Sequence, residues 1–181
     1  MLIPNSDDTE DPRTGRRAVT NSGKPNRTGA LLEELHAHSV LLRDLYKSAR
    51  WQTADIQFRN LRLLFDDHYK EQIRLVDVLT DRIRLLAGPD RVFAGVFLQE
   101  TQFSYALRGR ASPVRLLGDL YDAHELLLST ARSGERGDAR DCSPSNRDFA
   151  VGQVVIANEL QSRSIGEQLM QRDNRRRLFG T

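Results

Sequence analysis

The strongest constraint in this chain is an unbroken helical period between Phe58 and Leu86. Phe58, Leu61, Phe65, Tyr69, Ile73, Val76, Leu79, Ile83 and Leu86 recur at steps of three and four, the spacing that lays side chains along one stripe of an α-helix. Gly88–Pro89 follows and stops the helix, because proline cannot continue it and glycine favours the terminal turn. Taken from Asp55 to Ala87, about 33 residues rising about 1.5 Å each give a rod about 50 Å long. A rod of that length with one apolar stripe must bury the stripe against other helices, which points to a bundle.

Three more segments carry the same period. Leu31, Leu35, His38, Leu42, Leu45 and Ala49 mark a helix from Thr28 to about Gln52, with Glu33 and Glu34 near the positive end of its dipole. Ser112–Pro113 reads as an N-cap followed by proline at the first helical position, and Leu116, Leu117, Leu120, His124, Leu127 and Leu128 supply the inner face beyond it. Phe149, Val151, Val154, Val155, Leu160, Ile165 and Leu169 mark a fourth helix from about Ser145 to Arg172. The connection from helix 2 to helix 3 is long, and Val92 to Phe103 is apolar enough to bury, as a short helix within a crossover. The other two connections are short. No alternating strand pattern and no internal repeat is present. The expected class is all-α, a ferritin-like four-helix bundle with a long crossover between helices 2 and 3.

At 181 residues one domain is expected, with a core large enough to sustain it. Residues 1–27 read as a flexible basic N-terminal arm, 28–172 as the bundle, and 173–181 as an arginine-rich C-terminal tail. Charges interrupt every apolar run, so no membrane span is expected, and the N-terminus has no secretory pattern. The single Cys142 has no partner for an intrachain disulfide, which fits a cytoplasmic setting. The net charge of +2 divides unevenly. The first 27 residues set five cations against four acids, the last ten carry +3, and the body between them is mildly acidic at −2. Basic ends on an acidic body suit an anionic polymer as partner.

Asp66, Asp77 and Asp81 share a stripe with Arg62. At about 100° per residue the four fall within about 100° of one another. Three carboxylates on one stripe suit a hard cation; the competing reading is a solvated face balanced by Arg62, Lys70, Arg74 and Arg84. His36 and His38 are two residues apart, so on a helix they point to different sides and chelate poorly. His124 lies on an inner stripe and reads as a hydrogen-bonded core histidine.

With these residues in view, the chain resembles the Dps family, the DNA-binding proteins from starved cells, or miniferritins. The resemblance rests on Arg50-Trp51, on Phe58-x-x-Leu61-Arg62-x-x-Phe65-Asp66-x-x-Tyr69, and on Asp77-x-x-x-Asp81-Arg82. Family members usually show His-Trp, Leu-His-x-x-Phe-Asp-x-x-Tyr and Asp-x-x-x-Glu-Arg at these separations. The resemblance implies a hollow cytoplasmic, nucleoid-associated shell of twelve subunits, built from two-fold dimers, that protects double-stranded DNA without regard to sequence. It also implies iron as ligand, oxidised mostly by peroxide and stored inside, at a ferroxidase centre shared across the dimer interface. Carried over by position, that centre is Arg50, Arg62 and Asp66 of one subunit facing the partner's Asp77 and the partner's Asp81, with Trp51 and Tyr69 beside it.

Both expected histidines are therefore arginines, and the expected glutamate is the shorter Asp81. A guanidinium has no lone pair to give a metal and stays protonated. Two cations beside three carboxylates weaken the attraction for ferrous iron and favour planar arginine–carboxylate pairs instead. The expectation is that the usual centre is lost or severely weakened, and no cofactor is assigned. A miniferritin that still oxidises and stores iron through a rebuilt site is the alternative. His68 is the one histidine near enough in sequence to replace a ligand, although it sits about 200° around the helix from Asp66. Trp51 and Tyr69 are then more readily packing residues than redox ones.

Glu135, Asp138, Asp141 and Asp148 fall where family shells open acidic pores, but Arg132, Arg136, Arg140 and Arg147 are interleaved with them. Arg13, Arg16, Arg17, Lys24 and Arg27, with Arg175, Arg176 and Arg177, are the expected phosphate contacts. Repetition of weak arms around a shell would give avidity.

Overall fold

The computed structural model describes residues 27–87, 111–137 and 144–179. These form four helices: α1 Arg27–Gln52, α2 Arg59–Ala87, α3 Pro113–Gly137 and α4 Pro144–Phe179. A single 3-10 turn, Ile56–Phe58, precedes α2. No strand occurs among the described residues. The fold is the expected ferritin-like four-helix bundle.

Each helix boundary has a local cause. α1 closes where Thr53 turns back on it, its N–H and hydroxyl both donating to the Ala49 carbonyl at 3.1 and 2.8 Å. The Phe58 N–H donates to the Asp55 carbonyl at 2.9 Å, closing a tight turn where a longer α2 was expected from sequence. α3 starts as its N-cap signal predicts: the Arg115 N–H donates to Ser112 Oγ at 3.3 Å, and Pro113 stands where no N–H is needed.

The packing is a closed square. α1 packs on α2 and α3, and α4 packs on α3 and α2. Every neighbouring pair runs antiparallel. His36 meets Thr80 while Tyr46 meets His68; His38 meets Thr130 while Tyr46 meets His124; Gln72 meets Gln161 while Phe58 meets Arg172. α2 and α3 are consequently diagonal and parallel. Ala111 stands beside Gln52, its N–H donating to Gln52 Oε1 at 2.7 Å, at the opposite end of the bundle from Ala87. Ala87 and Ala111 thus stand at opposite ends of the bundle, which is why the sequence needs a long connection between them. The expected short helix between Val92 and Phe103 lies outside the described residues.

The core is the leucine-rich seam of all four helices around Tyr46, Phe65, Leu42, Leu75, Leu79, Leu117 and Leu127. Each such side chain contributes about 1.5–3 kcal/mol by leaving water. The expected inner faces of α1 and α3 are buried throughout. On α2, Leu75 and Gln72 are buried while Ile73 and Leu86 face outward. On α4, Phe149 and Leu160, expected inside, are 65% and 59% exposed. Polar Asn158, Gln161 and Ser162 take the inner positions instead. α4 also continues past Arg172 to Phe179, so the arginine run 175–177 rides on helical backbone; those side chains lie outside the described residues.

Candidate functional site

The end of α1 lies against the first turns of α2, and this brings Arg50 to Asp66. Arg50 Nη1 stands 2.7 Å from Asp66 Oδ1. Lys70, one turn along α2, places its Nζ 2.6 Å from Asp66 Oδ2. Both carboxylate oxygens are thus engaged by cations. The Arg50 guanidinium also lies over the Tyr69 ring, 5.0 Å from its centroid, so cation–π attraction holds it in the same place. The Lys70 hydrogen bond, with further attraction from Arg50 and Arg62, holds the Asp66 carboxyl below the usual carboxylate range. Asp66 is half-buried here, and Arg62 stands exposed one turn before it. The sequence placed Lys70 only on a solvated face; its i+4 spacing from Asp66 was the signal that it would take the second oxygen.

Asp77 and Asp81 are exposed further along the same face of α2. Eleven residues separate Asp66 from Asp77, about 16 Å of helix rise, so one chain cannot close these carboxylates around one ion. Among the described residues, no group of three or more His, Cys, Asp or Glu could hold a metal within the chain. Trp51 is 64% exposed beside Arg50, with Lys47 Nζ 5.4 Å from its ring centroid.

The histidines divide as their spacing requires. His36 Nε2 meets Thr80 Oγ1 of α2 at 3.0 Å, whereas His38 Nε2 faces Thr130 Oγ1 of α3 at 3.4 Å. His68 turns away from Asp66 into the bundle, its Nδ1 2.9 Å from the Tyr46 hydroxyl. It is not placed to replace a ligand at Asp66. His124 is the expected hydrogen-bonded core histidine, with Nε2 2.6 Å from the Tyr46 hydroxyl and Nδ1 2.9 Å from Asn158 Oδ1. Burial lowers His68 to about 4 and His124 to about 3, and pushes the Tyr46 phenol well up, so all three are neutral.

No protein-family profile matches the chain. An uncharacterized protein encoded in the bpoA2 5′ region of Kitasatospora aureofaciens is 31% identical over 108 residues, covering 56% of this chain and 67% of that one. Uncharacterized low temperature-induced proteins of Nostoc sp. and Anabaena variabilis are each 28% identical over 131 residues, covering 72% of this chain and 73% of theirs. Among solved structures, DpsC from Streptomyces coelicolor is similar with a TM-score of 0.62 and 28% identity, over 79% of this chain and 83% of that chain. The chain belongs to the same family as the Kitasatospora protein, and it is Dps-like.

Other expected site residues of this Dps-like chain lie outside the described part. Arg13, Arg16, Arg17 and Lys24 precede it. The side chains of Arg27, Glu135, Arg136, Arg147, Asp148 and Arg175 to Arg177, and all of Asp138, Arg140 and Asp141, also fall outside. No helix among the described residues is long and apolar enough to cross a membrane.

Proposed function

We propose that this Dps-like chain assembles into a hollow homo-oligomeric shell, a dodecamer of two-fold dimers. The shell binds double-stranded DNA without sequence preference and protects it under starvation or oxidative stress. Its ferroxidase centre is lost or severely weakened, because arginines occupy both positions where the family places histidine ligands.

One observation carries this reading: Asp66 is held on both oxygens, by Arg50 at 2.7 Å and Lys70 at 2.6 Å. Ferrous iron would have to displace two cations from its carboxylate and then find no imidazole in exchange. Water still reaches these side chains, so the pair adds little stability; its effect is to occupy the carboxylate that a metal would need. Exposed Trp51 next to Arg50 supplies apolar surface for the dimer contact. The basic ends supply phosphate contacts, and repetition around a shell turns weak contacts into avidity.

The test uses one preparation of the full chain for two measurements. Plasmid DNA should be retarded at low salt and released steeply as salt rises, while incubation with ferrous iron and peroxide leaves no ferric core in the shell. No retardation at low salt, together with an iron-loaded shell, would favour the iron-storing alternative.

A further inference from the structure

The bundle core holds a hydrogen-bonded chain that crosses all four helices, and its direction can be read. Asn158 Nδ2 donates to the Val154 carbonyl at 2.7 Å, which fixes Asn158 Oδ1 as an acceptor. That oxygen receives Gln72 Nε2 at 3.0 Å and faces His124 Nδ1 at 2.9 Å, so Nδ1 carries the proton. A neutral imidazole has one N–H, so His124 Nε2 presents a lone pair. The Tyr46 hydroxyl, 2.6 Å away, must donate to it. The phenolic oxygen then accepts from His68 Nδ1–H at 2.9 Å. The order is His68 to Tyr46 to His124 to Asn158, with one donor and one acceptor at every step.

Tyr46 is fully buried, and its ring packs against Phe65 at 6.1 Å, His68 at 5.2 Å and His124 at 5.7 Å between centroids. A phenol so placed is closed to bulk solvent and keeps one strong contact to a base. An electron can leave such a ring through the protein, but its proton can move only along a hydrogen bond. A buried phenol without a base would therefore be hard to oxidise. This one has a base at 2.6 Å in the tautomer that can take the proton.

We propose that Tyr46 is a redox-active side chain whose oxidation is coupled to proton transfer to His124 Nε2. The oxidant is a one-electron oxidant of the hydroxyl-radical class, formed where peroxide meets reduced metal. One electron leaves the phenol and reduces hydroxyl radical to hydroxide. The Tyr46 O–H bond breaks and the proton forms an N–H bond at His124 Nε2. The products are a neutral tyrosyl radical and an imidazolium, whose Nδ1–H stays on Asn158 Oδ1. An oxidised phenol is a far stronger acid than an imidazolium, so the transfer is downhill even for a histidine whose basicity burial has lowered to about 3. His68 Nδ1–H continues to donate to the radical oxygen. An oxidising equivalent that reaches this point is held inside the bundle.

The test oxidises the full chain by flash-quench with tris(bipyridine)ruthenium and follows electron paramagnetic resonance. The expected spectrum is one neutral tyrosyl radical with a hyperfine coupling to an exchangeable proton, lost in heavy water. Tyr46→Phe should abolish it, although Tyr69, Tyr105 and Tyr121 remain. His124→Gln, checked for folding by circular dichroism, should shorten the radical lifetime by about tenfold, the effect of roughly one pK unit of lost proton affinity. If His124→Gln does not fold, the exchangeable coupling in the unaltered protein decides. The same signal in Tyr46→Phe, a radical without that coupling, or an unchanged lifetime in a folded His124→Gln protein would overturn the proposal.

Discussion

Arg50 on α1 and Asp66 on α2 form an ion pair at 2.7 Å, with side chains 27% and 29% exposed. The pair ties the last turn of one helix to the early turns of the next. Because water still reaches both groups, its removal costs little. Arg50→Ala is expected to lower the unfolding free energy by about 1 kcal/mol or less, part of it from lost stacking on Tyr69. Urea unfolding at fixed protein concentration measures this.

Tyr46 offers the contrast. Tyr46→Phe keeps the ring and its packing but leaves His124 Nε2 and His68 Nδ1 without their buried partner. Each unsatisfied group costs about 1–3 kcal/mol, so a loss of about 2–6 kcal/mol is expected for the two. Thermal unfolding should show it, with a drop well beyond that of Arg50→Ala.

Acid should destabilise the fold through the same network. His68 and His124 titrate at about 4 and about 3 when folded, against the ordinary histidine value of 6.5. Between those values the unfolded chain holds protons that the native chain does not, so stability falls as pH is lowered from about 6.5. The slope is about 1.4 kcal/mol per pH unit for each buried histidine. His68 stops contributing below about 4 and His124 below about 3. Asp66, depressed by its cations, adds a further loss as pH falls through its own folded value. His68→Gln should flatten the upper part of the curve, which denaturant midpoints across this range would record.

The helices were legible because leucine at steps of three and four has one physical meaning in stretches free of proline. Leu31 to Ala49 and Leu116 to Leu128 needed nothing else. α4 was less legible. Its period includes Phe149 and Leu160, which the structure turns outward, while Asn158 and Gln161 are buried because Gln72 and His124 supply their hydrogen bonds. Polar residues satisfied by partners on other helices cannot be told from a solvated face in one dimension. The same limit hid His68, whose partner Tyr46 lies 22 residues away. The nearness of Arg50 to Asp66 is what the resemblance implied, whereas the Lys70 contact was not expected, although its i+4 spacing from Asp66 was on display.

The basic arms set the expected salt response of DNA binding. Deleting residues 1–27 removes five cations. At about 0.9 per phosphate contact, the slope of log affinity against log salt should become shallower by up to roughly 4.5 for each engaged arm. Gel shifts over a salt series, with the same DNA and both proteins, compare the two slopes. Equal slopes would place the contacts elsewhere on the protein.

In the proposed reading, guanidinium groups at positions 50 and 62 stand where iron would need imidazoles. The most direct test is stopped-flow oxidation of ferrous iron by peroxide, comparing the unaltered protein with the Arg50→His, Arg62→His double variant. Background rates are expected for the unaltered protein and faster, saturable oxidation for the variant. Rapid, saturable oxidation by the unaltered protein would contradict the reading.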